Sequence, residues 1–146
     1  MSGPGAVRGE VIFPGDGAGR LLRLAAPISF WGGVDPASGR ITDPRHPDHD
    51  AAIAGRVLAM SGTIGSSGSS SVMLELLRGG RGPAALLLGQ VDAILVLGVI
   101  VAGEMGWPTI PVVRLDPAAL EALPAGRPLR VAADGEVSWT DDPVQN

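Results

Sequence analysis

Cysteine, lysine and tyrosine are all missing from this sequence, and the first two absences exclude several kinds of chemistry. Without cysteine the chain forms no disulfide, offers no thiol nucleophile and holds no iron–sulfur cluster through its own thiolates. Without lysine it has neither a P-loop lysine nor a Schiff-base lysine, and all 11 basic residues are arginine. Any chemistry here must therefore use hydroxyls, carboxylates, imidazoles, guanidinium groups or the backbone.

Basic patches and long hydrophobic runs are lacking as well. The formal net charge is −4 and no basic cluster is present, so nothing favours a nucleic-acid partner. The most apolar run, Ala93–Gly103, is about half as long as a segment that spans a bilayer. The first residues do not have the pattern of a signal peptide. We expect a cytoplasmic protein without a membrane segment.

Aromatic residues are few, so the core must consist of aliphatic side chains, as in many mixed α/β domains. The length suits one domain, residues 1–146. Period and turn signals predict strands at Ala6–Phe13, Arg20–Ala26, Ala54–Met60, Pro83–Leu88 and Ile110–Leu115, with a final hairpin of Leu129–Ala133 and Glu136–Thr140. Helices are predicted at Val72–Arg78 and Pro117–Leu123, and Ala93–Met105 as a short strand that becomes helical near Leu97. The pattern indicates an α/β fold, a barrel or layered sheet with helices on one side.

The stretch with the strongest chemical character is Ser61–Arg78, which contains six serines and three glycines before its helix begins. Glycine allows close backbone approach to a ligand, and serine hydroxyls cap helix N-termini. A strand, a Gly/Ser turn and a helix N-terminus together favour binding of a small anionic group. A flexible linker is the alternative, but the predicted strand and helix directly beside the turn contradict it.

Three catalytic patterns fail at this turn. Ser66 is not in a G-x-S-x-G sequence, because Ile64 precedes it by two positions. No lysine follows the glycines, as a P-loop requires. A Ser/His/Asp triad would need His46 or His49 from a loop that contains prolines. What remains is a turn that binds an anion, with one serine available for proton transfer.

Two loops hold further candidate residues. Ile28–Pro36 contains Phe30 and Trp31 beside a glycine pair, which indicates either a loop anchored to the core by Trp31 or a lid or partner contact. Asp43–Asp50 contains both histidines among three aspartates. Its two prolines and the lack of a third ligand favour a solvated loop over a metal site, so we predict no metal ligand in this chain.

The residues of these segments resemble the small subunit of aconitase X from about Gly15 to Val113. The resemblance rests on Pro27–Pro36 (PISFWGGVDP), Gly39, Ile41, Ala54–Leu58 (AGRVL), Gly65–Ser67, Leu97–Gly98 and Ala102. It implies a swivelling β/β/α domain that works with a large catalytic subunit, which would carry the iron or iron–sulfur centre. Because the chain has no cysteine, no lysine and no complete acid–base set, we expect it to be inactive alone.

Two activities are associated with that family, the dehydration of cis-3-hydroxy-L-proline and of phosphomevalonate. The resemblance assigns the catalytic base to Ser66, since a serine of the swivel domain removes a proton α to a carboxylate in the wider superfamily. It assigns substrate binding or closure of the site to the turn and the aromatic loop, at Gly65, Ser67, Ser29, Trp31, Gly32, Gly33 and Asp35.

One departure from the family concerns charge. Many relatives have arginine just before the Gly-Ser pair, where this chain has Ile64, so the activating cation must come from the partner. No basic residue lies between Arg56 and Arg78, which favours hydroxyproline over a phosphorylated acid. The alternatives are the phosphomevalonate dehydratase small subunit and, in another class, a non-catalytic module that binds a ligand or partner.

Overall fold

The computed structural model describes residues 3–140, which form ten strands and four helices. In chain order they are β1 Gly5–Arg8, β2 Glu10–Phe13, β3 Gly17–Arg23, α1 Phe30–Gly33, β4 Val34–Asp35, β5 Arg40–Ile41, β6 Val57–Met60, α2 Ser69–Arg78, β7 Ala85–Leu88, α3 Ala93–Glu104, β8 Val112–Arg114, α4 Pro117–Ala122, β9 Pro128–Val131 and β10 Glu136–Trp139.

Eight strands form one sheet in the order β1-β10-β9-β3-β6-β7-β8-β2, and β4 and β5 make a separate small pair. The strands β3, β6, β7 and β8 run parallel, and the remaining pairings are antiparallel. Strand β3 belongs to both halves, since Gly17–Arg20 pair with β9 and Leu21–Arg23 pair with β6. The sheet therefore bends at β3.

The prediction of one strand at Ala6–Phe13 is wrong, because Gly9 divides it into β1 and β2. These two strands lie at opposite ends of the sheet order, so the single residue between them brings the two ends together. A Cβ at Gly9 would lie 2.3 Å from the carbonyl oxygen of Arg114. Only glycine allows this approach, which closes the sheet into a barrel.

Two hydrophobic cores lie on opposite faces of the parallel strands. On β7, Leu86 and Leu88 pack with α2 and α3, while Ala85 and Leu87 pack with residues of β9 and β10. A strand buried on both faces explains the continuous apolar run that predicted it. The layers are thus helix, parallel sheet and antiparallel sheet, and the expected β/β/α fold is confirmed. The short α4 instead packs Leu120 into the second core.

The structure corrects the prediction for residues 93–105, which are helical from Ala93 with no initial strand. The cause is Asp92, whose carboxylate oxygen Oδ1 accepts hydrogen bonds from the backbone N–H groups of Ile94 at 3.0 Å and Leu95 at 3.2 Å. This side chain satisfies free donors of the first turn and so starts α3 at once. The helix ends before Gly106, which has a φ of 75°.

The other strands agree with prediction but are shorter or shifted. The second strand spans Gly17–Arg23 rather than Arg20–Ala26, so the chain leaves the sheet at Leu24. The predicted hairpin is present as β9 and β10 with Gly135 at a φ of 92°. The early exit of β3 lengthens the segment that leads to Trp31.

Candidate functional site

The carboxyl ends of the four parallel strands meet at one edge of the sheet, and the serine-rich segment lies there. We call Ser61–Gly68, which follows β6, the serine turn, and Pro27–Asp35, which follows β3, the aromatic loop. The two touch through a parallel bridge between Ile28 and Thr63, and the N–H of Ile64 donates to the carbonyl of Ile28 at 3.0 Å. Open α/β sheets bind ligands at such strand ends.

Ser66 begins the tight turn that leads into α2. Its Oγ accepts a hydrogen bond from the N–H of Gly68 at 3.3 Å, and its carbonyl accepts one from the N–H of Ser69 at 3.1 Å. The side chain is half-buried, whereas Gly65 and Ser67 are exposed. A Cβ at Gly65 would meet no atom within 4 Å, so the space in front of this residue is open.

The serines do not cap α2 through their side chains, contrary to the role expected of them. The N-cap residue is Gly68, which has no side chain. Ser70 and Ser71 instead donate their hydroxyls back to the carbonyls of Ser67 and Gly68, at 3.4 and 2.9 Å. Apart from Ser66 Oγ at the N–H of Gly68, no side-chain oxygen of the described residues caps the positive end of the α2 dipole, and such an end stabilises a bound carboxylate.

Trp31 lies against the serine turn and does not anchor its loop to the core. Its side chain is 61% exposed, and a Cβ at Gly68 would lie 2.7 Å from Cε3 of its ring. The neighbouring Phe30 is 1% exposed and does the anchoring. Of the two alternatives for Trp31, anchoring of the loop to the core is therefore wrong, and a lid or partner contact remains a prediction.

The remaining predicted residues of the aromatic loop differ in their surroundings. Gly32 is exposed with a φ of 80°, and Gly33 packs so closely on Ile28 that a Cβ would lie 2.9 Å from its Cγ1. Ser29 is half-buried and makes no cap bond to α1. Asp35 accepts from the N–H of Ala37 at 3.0 Å, which lowers the pKa of its carboxyl group. Within residues 3–140 the groups that act on the Asp35 carboxylate are Ala37, Ser38 and Arg81, none of which belongs to the serine turn.

Thr63 and Asp92 form a link that the sequence did not reveal. The hydroxyl of Thr63 donates to Asp92 Oδ2 at 2.6 Å, while Oδ1 of the same carboxylate caps α3. An aspartate directly before an apolar helix was the available signal for the cap. The bond fastens the serine turn to the start of α3.

His46 is a second residue whose position was not foreseen. It is 7% exposed, its Nε2 lies 2.9 Å from the carbonyl oxygen of Ala26, and its Nδ1 accepts from the N–H of Asp48 at 2.9 Å. The expectation of a solvated loop is wrong for His46, although His49 is exposed. The imidazole ties this loop to the segment that precedes the aromatic loop.

A cavity of about 590 Å³ opens beside the first residues of the serine turn, between the ends of β3 and β6 and the helix α4. It is lined by the first residues of the turn and by Arg23, Gln90 and Glu121. The guanidinium group of Arg23 donates to the carbonyls of Leu120 and Leu123, at 2.8 and 2.9 Å. A cation thus lies beside the beginning of the turn, although none is near it in sequence.

The residues present do not fit an iron or iron–sulfur centre. Between residues 3 and 140 no group of three or more His, Cys, Asp or Glu side chains is arranged to hold a metal ion, and the sequence contains no cysteine. No step of a reaction is therefore assigned to a metal held by this chain. In the same part of the chain no helix has the length and apolar character needed to cross a membrane.

The chain is similar to known proteins in sequence and in structure. It is 45% identical over 106 residues to cis-3-hydroxy-L-proline dehydratase of Pseudomonas aeruginosa. This alignment covers 73% of this chain and 18% of that protein. It is 35% identical over 137 residues to the phosphomevalonate dehydratase small subunit of Thermococcus gammatolerans. This alignment covers 92% of this chain and 98% of that subunit. The chain spans about a fifth of the length of the hydroxyproline dehydratases that it matches.

A solved structure and a family profile agree with these relatives. The crystal structure of Thermococcus kodakaraensis aconitase X, holo-form, superposes with a TM-score of 0.81 at 31% identity, over 92% of this chain and 98% of that one. The profile of the aconitase X swivel domain matches residues 6–139. The layers of the sheet, the turn at the strand ends and these matches lead to one conclusion: the chain belongs to the aconitase X swivel domain family.

Proposed function

We propose that the chain is the small subunit of an aconitase X-type hydro-lyase and that a larger subunit completes its active site. The family assignment supports this, as do relatives of nearly the same length that are named small subunits of a dehydratase. The iron or iron–sulfur centre would belong to the larger subunit, because the donor side chains of this chain do not suit one. The enzyme would thus be a complex of two chains.

Ser66 is the proposed catalytic base, and the observation that carries this role is its location at the open N-terminus of α2. An alkoxide at Oγ is a poor species in water and needs positive potential around it. The N–H of Gly68 and the uncapped helix end supply part of that potential. This chain has Ile64 at the position where many relatives have arginine. The remaining positive potential at Ser66 Oγ would therefore come from the larger subunit.

The proposed substrate is cis-3-hydroxy-L-proline. Ser66 Oγ takes the proton from the carbon α to the carboxylate, and the electron pair of that bond forms the double bond to the neighbouring carbon. The hydroxyl on that carbon leaves as water, with a proton from the larger subunit, and the enamine tautomerises to Δ1-pyrroline-2-carboxylate. Gly65 and Ser67 would position the carboxylate, with Ser29, Trp31, Gly32, Gly33 and Asp35 on the loop that closes over it. The 45% identity to a hydroxyproline dehydratase supports this choice.

A phosphorylated substrate is the second candidate. Two observations favour it: the guanidinium group of Arg23 beside the serine turn, and the match over 98% of a phosphomevalonate dehydratase small subunit. Arginine binds phosphate well through its paired N–H donors. A non-catalytic module of the same fold is the candidate from another class.

The test is reconstitution with the larger chain from the same source, identified by homology to the four-fifths of the hydroxyproline dehydratases that this chain does not match. We expect the complex to dehydrate cis-3-hydroxy-L-proline in preference to phosphomevalonate. The reverse preference would overturn the substrate, and a complex without activity on either would favour the non-catalytic module.

Ser66→Ala tests the base within the same complex. We expect turnover to fall by ~10²–10⁴, mainly in kcat, with association and melting temperature almost unchanged. Exchange of the substrate α-proton with solvent deuterium measures the step directly, with Ser67→Ala as the control. If Ser66→Ala exchanges the α-proton at the wild-type rate, a residue other than Ser66 removes that proton.

A further inference from the structure

Helix α3 exposes an apolar face to solvent. From Ala93 to Gly103 it contains no charged or polar side chain. Ile94, Leu97 and Ile100 are 39%, 47% and 43% exposed, and at 100° per residue they lie on one face of the helix. The opposite face, with Leu95 and Val99, is completely buried against the core.

This distribution is unusual for a helix at a free surface. A helix that is apolar on every side is normally buried on every side. Among residues 3–140 the large apolar side chains that are exposed fall in the serine turn, the aromatic loop, or α3 and its flanks, and they are Trp31, Ile64, Val91, Ile94, Leu97, Ile100 and Met105. Such clustering marks an interaction surface rather than scattered surface residues.

The apolar face adjoins the candidate active site. The bond of Thr63 to Asp92 joins the serine turn to the first residue before α3. Six residues further along, a Cβ at Gly98 would lie 2.6 Å from the carbonyl oxygen of Ser70, so α3 packs directly against the first turn of α2. Helix α3 is thus attached to the serine turn at its start and to α2 along its buried side, so a molecule that covers its first turns lies next to the elements that hold the serine turn.

We propose that Val91, Ile94, Leu97 and Ile100, here called the α3 face, form the docking surface for the larger subunit that completes the active site. This inference rests on the proposed function, which requires such a subunit. An apolar patch of that subunit would cover the α3 face, and the contact would hold its catalytic groups over the serine turn. A second copy of this chain is a poorer occupant, because it would obstruct the approach to Ser66.

The experiment measures association of the purified chain with the larger chain defined above. Leu97→Glu and the uncharged Ile100→Gln alter the α3 face at exposed positions, where good helix formers leave the fold intact. Ala133→Glu is the matched control, since it adds the same charge in the exposed turn between β9 and β10. That turn lies at the other end of the barrel, as Val131 pairs with Gly17 at the start of β3. The melting temperature of each variant checks its fold.

We expect Leu97→Glu to raise the dissociation constant at least about tenfold and Ile100→Gln to raise it less, with Ala133→Glu equal to wild type. At saturating partner, kcat of Leu97→Glu should stay within about twofold of wild type, because Ser66 is untouched. Equal binding by all variants would overturn the docking surface while leaving the proposed function intact. Failure of the wild-type chain to associate would overturn the proposed function itself. Self-association of the isolated chain that Leu97→Glu abolishes would assign the face to a second copy and overturn the inference.

Discussion

Ser69 is a buried serine in the first turn of α2 whose hydroxyl has no hydrogen-bond partner among residues 3–140. It is 1% exposed, and it directly follows the turn that contains Ser66. A buried hydroxyl without a partner costs about 1–3 kcal/mol relative to its solvated state. The hydroxyls of the neighbouring Ser70 and Ser71 instead donate to nearby carbonyls.

We predict that Ser69→Ala raises the free energy of unfolding by about 1 kcal/mol, because it removes the unpaired hydroxyl and adds a better helix former. The melting temperature should rise by about 2–4 °C. Ser71→Ala is the control, since its hydroxyl donates to Gly68 at 2.9 Å and its removal should not stabilise. A lower melting temperature for Ser69→Ala would mean that this hydroxyl has a partner, such as water.

Thr63 is the residue that fastens the serine turn to α3. We predict that Thr63→Val, which keeps the shape but removes the donor, lowers the free energy of unfolding by about 1–2 kcal/mol. Amide hydrogen exchange in the serine turn should also become faster, because the variant loses the 2.6 Å hydrogen bond from the Thr63 hydroxyl to Asp92 Oδ2 that fastens the turn.

Thr63→Ser is the matched control for this prediction, because it retains the hydroxyl and should restore both properties. If Thr63→Val and Thr63→Ser behave alike, the hydrogen bond does not hold the turn, and packing of the Thr63 methyl group does.

At the scale of elements, strand β1 is tied to the β9–β10 hairpin by charge. The guanidinium group of Arg8 lies 2.9 Å from Oδ2 of Asp134, and Oδ1 of the same carboxylate accepts a hydrogen bond from the N–H of Glu136 at 3.0 Å. These contacts, with the bond to Arg8 first, lower the pKa of the Asp134 carboxyl group. Strand β1 is one end of the sheet, so this pair lies where the barrel closes.

We predict an acid-dependent contribution of this pair to stability. A folded-state pKa below the unfolded value stabilises the fold above about pH 4, and this stabilisation disappears as the pH falls through the folded pKa. Asp134→Asn keeps the turn acceptor but loses the charge, so its melting temperature should be below wild type at neutral pH. The difference in melting temperature between wild type and Asp134→Asn should become smaller below about pH 4. A difference that stays constant from neutral pH into acid would exclude the ion pair as its source.

At the scale of the whole molecule, the candidate site combines a serine, a helix N-terminus and an aromatic ring. Ser66, the uncapped end of α2 and the ring of Trp31 lie together at one edge of the sheet, but residues 3–140 supply no metal ligand cluster beside them. The relatives named dehydratases are either several times longer or are named as small subunits. The arrangement suits a domain that completes a larger active site.

We therefore predict that the purified chain alone eliminates no water from cis-3-hydroxy-L-proline or phosphomevalonate above the uncatalysed background. Activity should appear on addition of the larger chain and saturate at equal amounts of the two. The measurement is product formation during titration of one chain with the other. Turnover by the isolated chain at the rate of the complex would contradict the division of the site.

The sequence by itself determined those features that depend on neighbouring residues. The unbroken apolar run at Ala85–Leu88 identified a strand buried on both faces, and Asp134-Gly135 identified the final hairpin. The density of serine and glycine between a strand and a helix marked Ser61–Arg78 as the candidate site, and the family resemblance singled out Ser66 within it. Local periodicity and turn chemistry are sufficient for each of these, because the partners lie within a few positions along the chain.

Only the tertiary structure decided which distant residues meet at that site. Gly9 divides a predicted strand because its backbone passes close to the carbonyl oxygen of Arg114. In the aromatic loop Phe30 is buried in the core, and the side chain of Trp31 is exposed. Arg23, on another strand, lines the same cavity as the first residues of the serine turn, although the sequence around Ser66 contains no basic residue. These contacts join residues that are far apart in the chain, and no local pattern records them, since packing of the complete sheet sets which strand ends are neighbours.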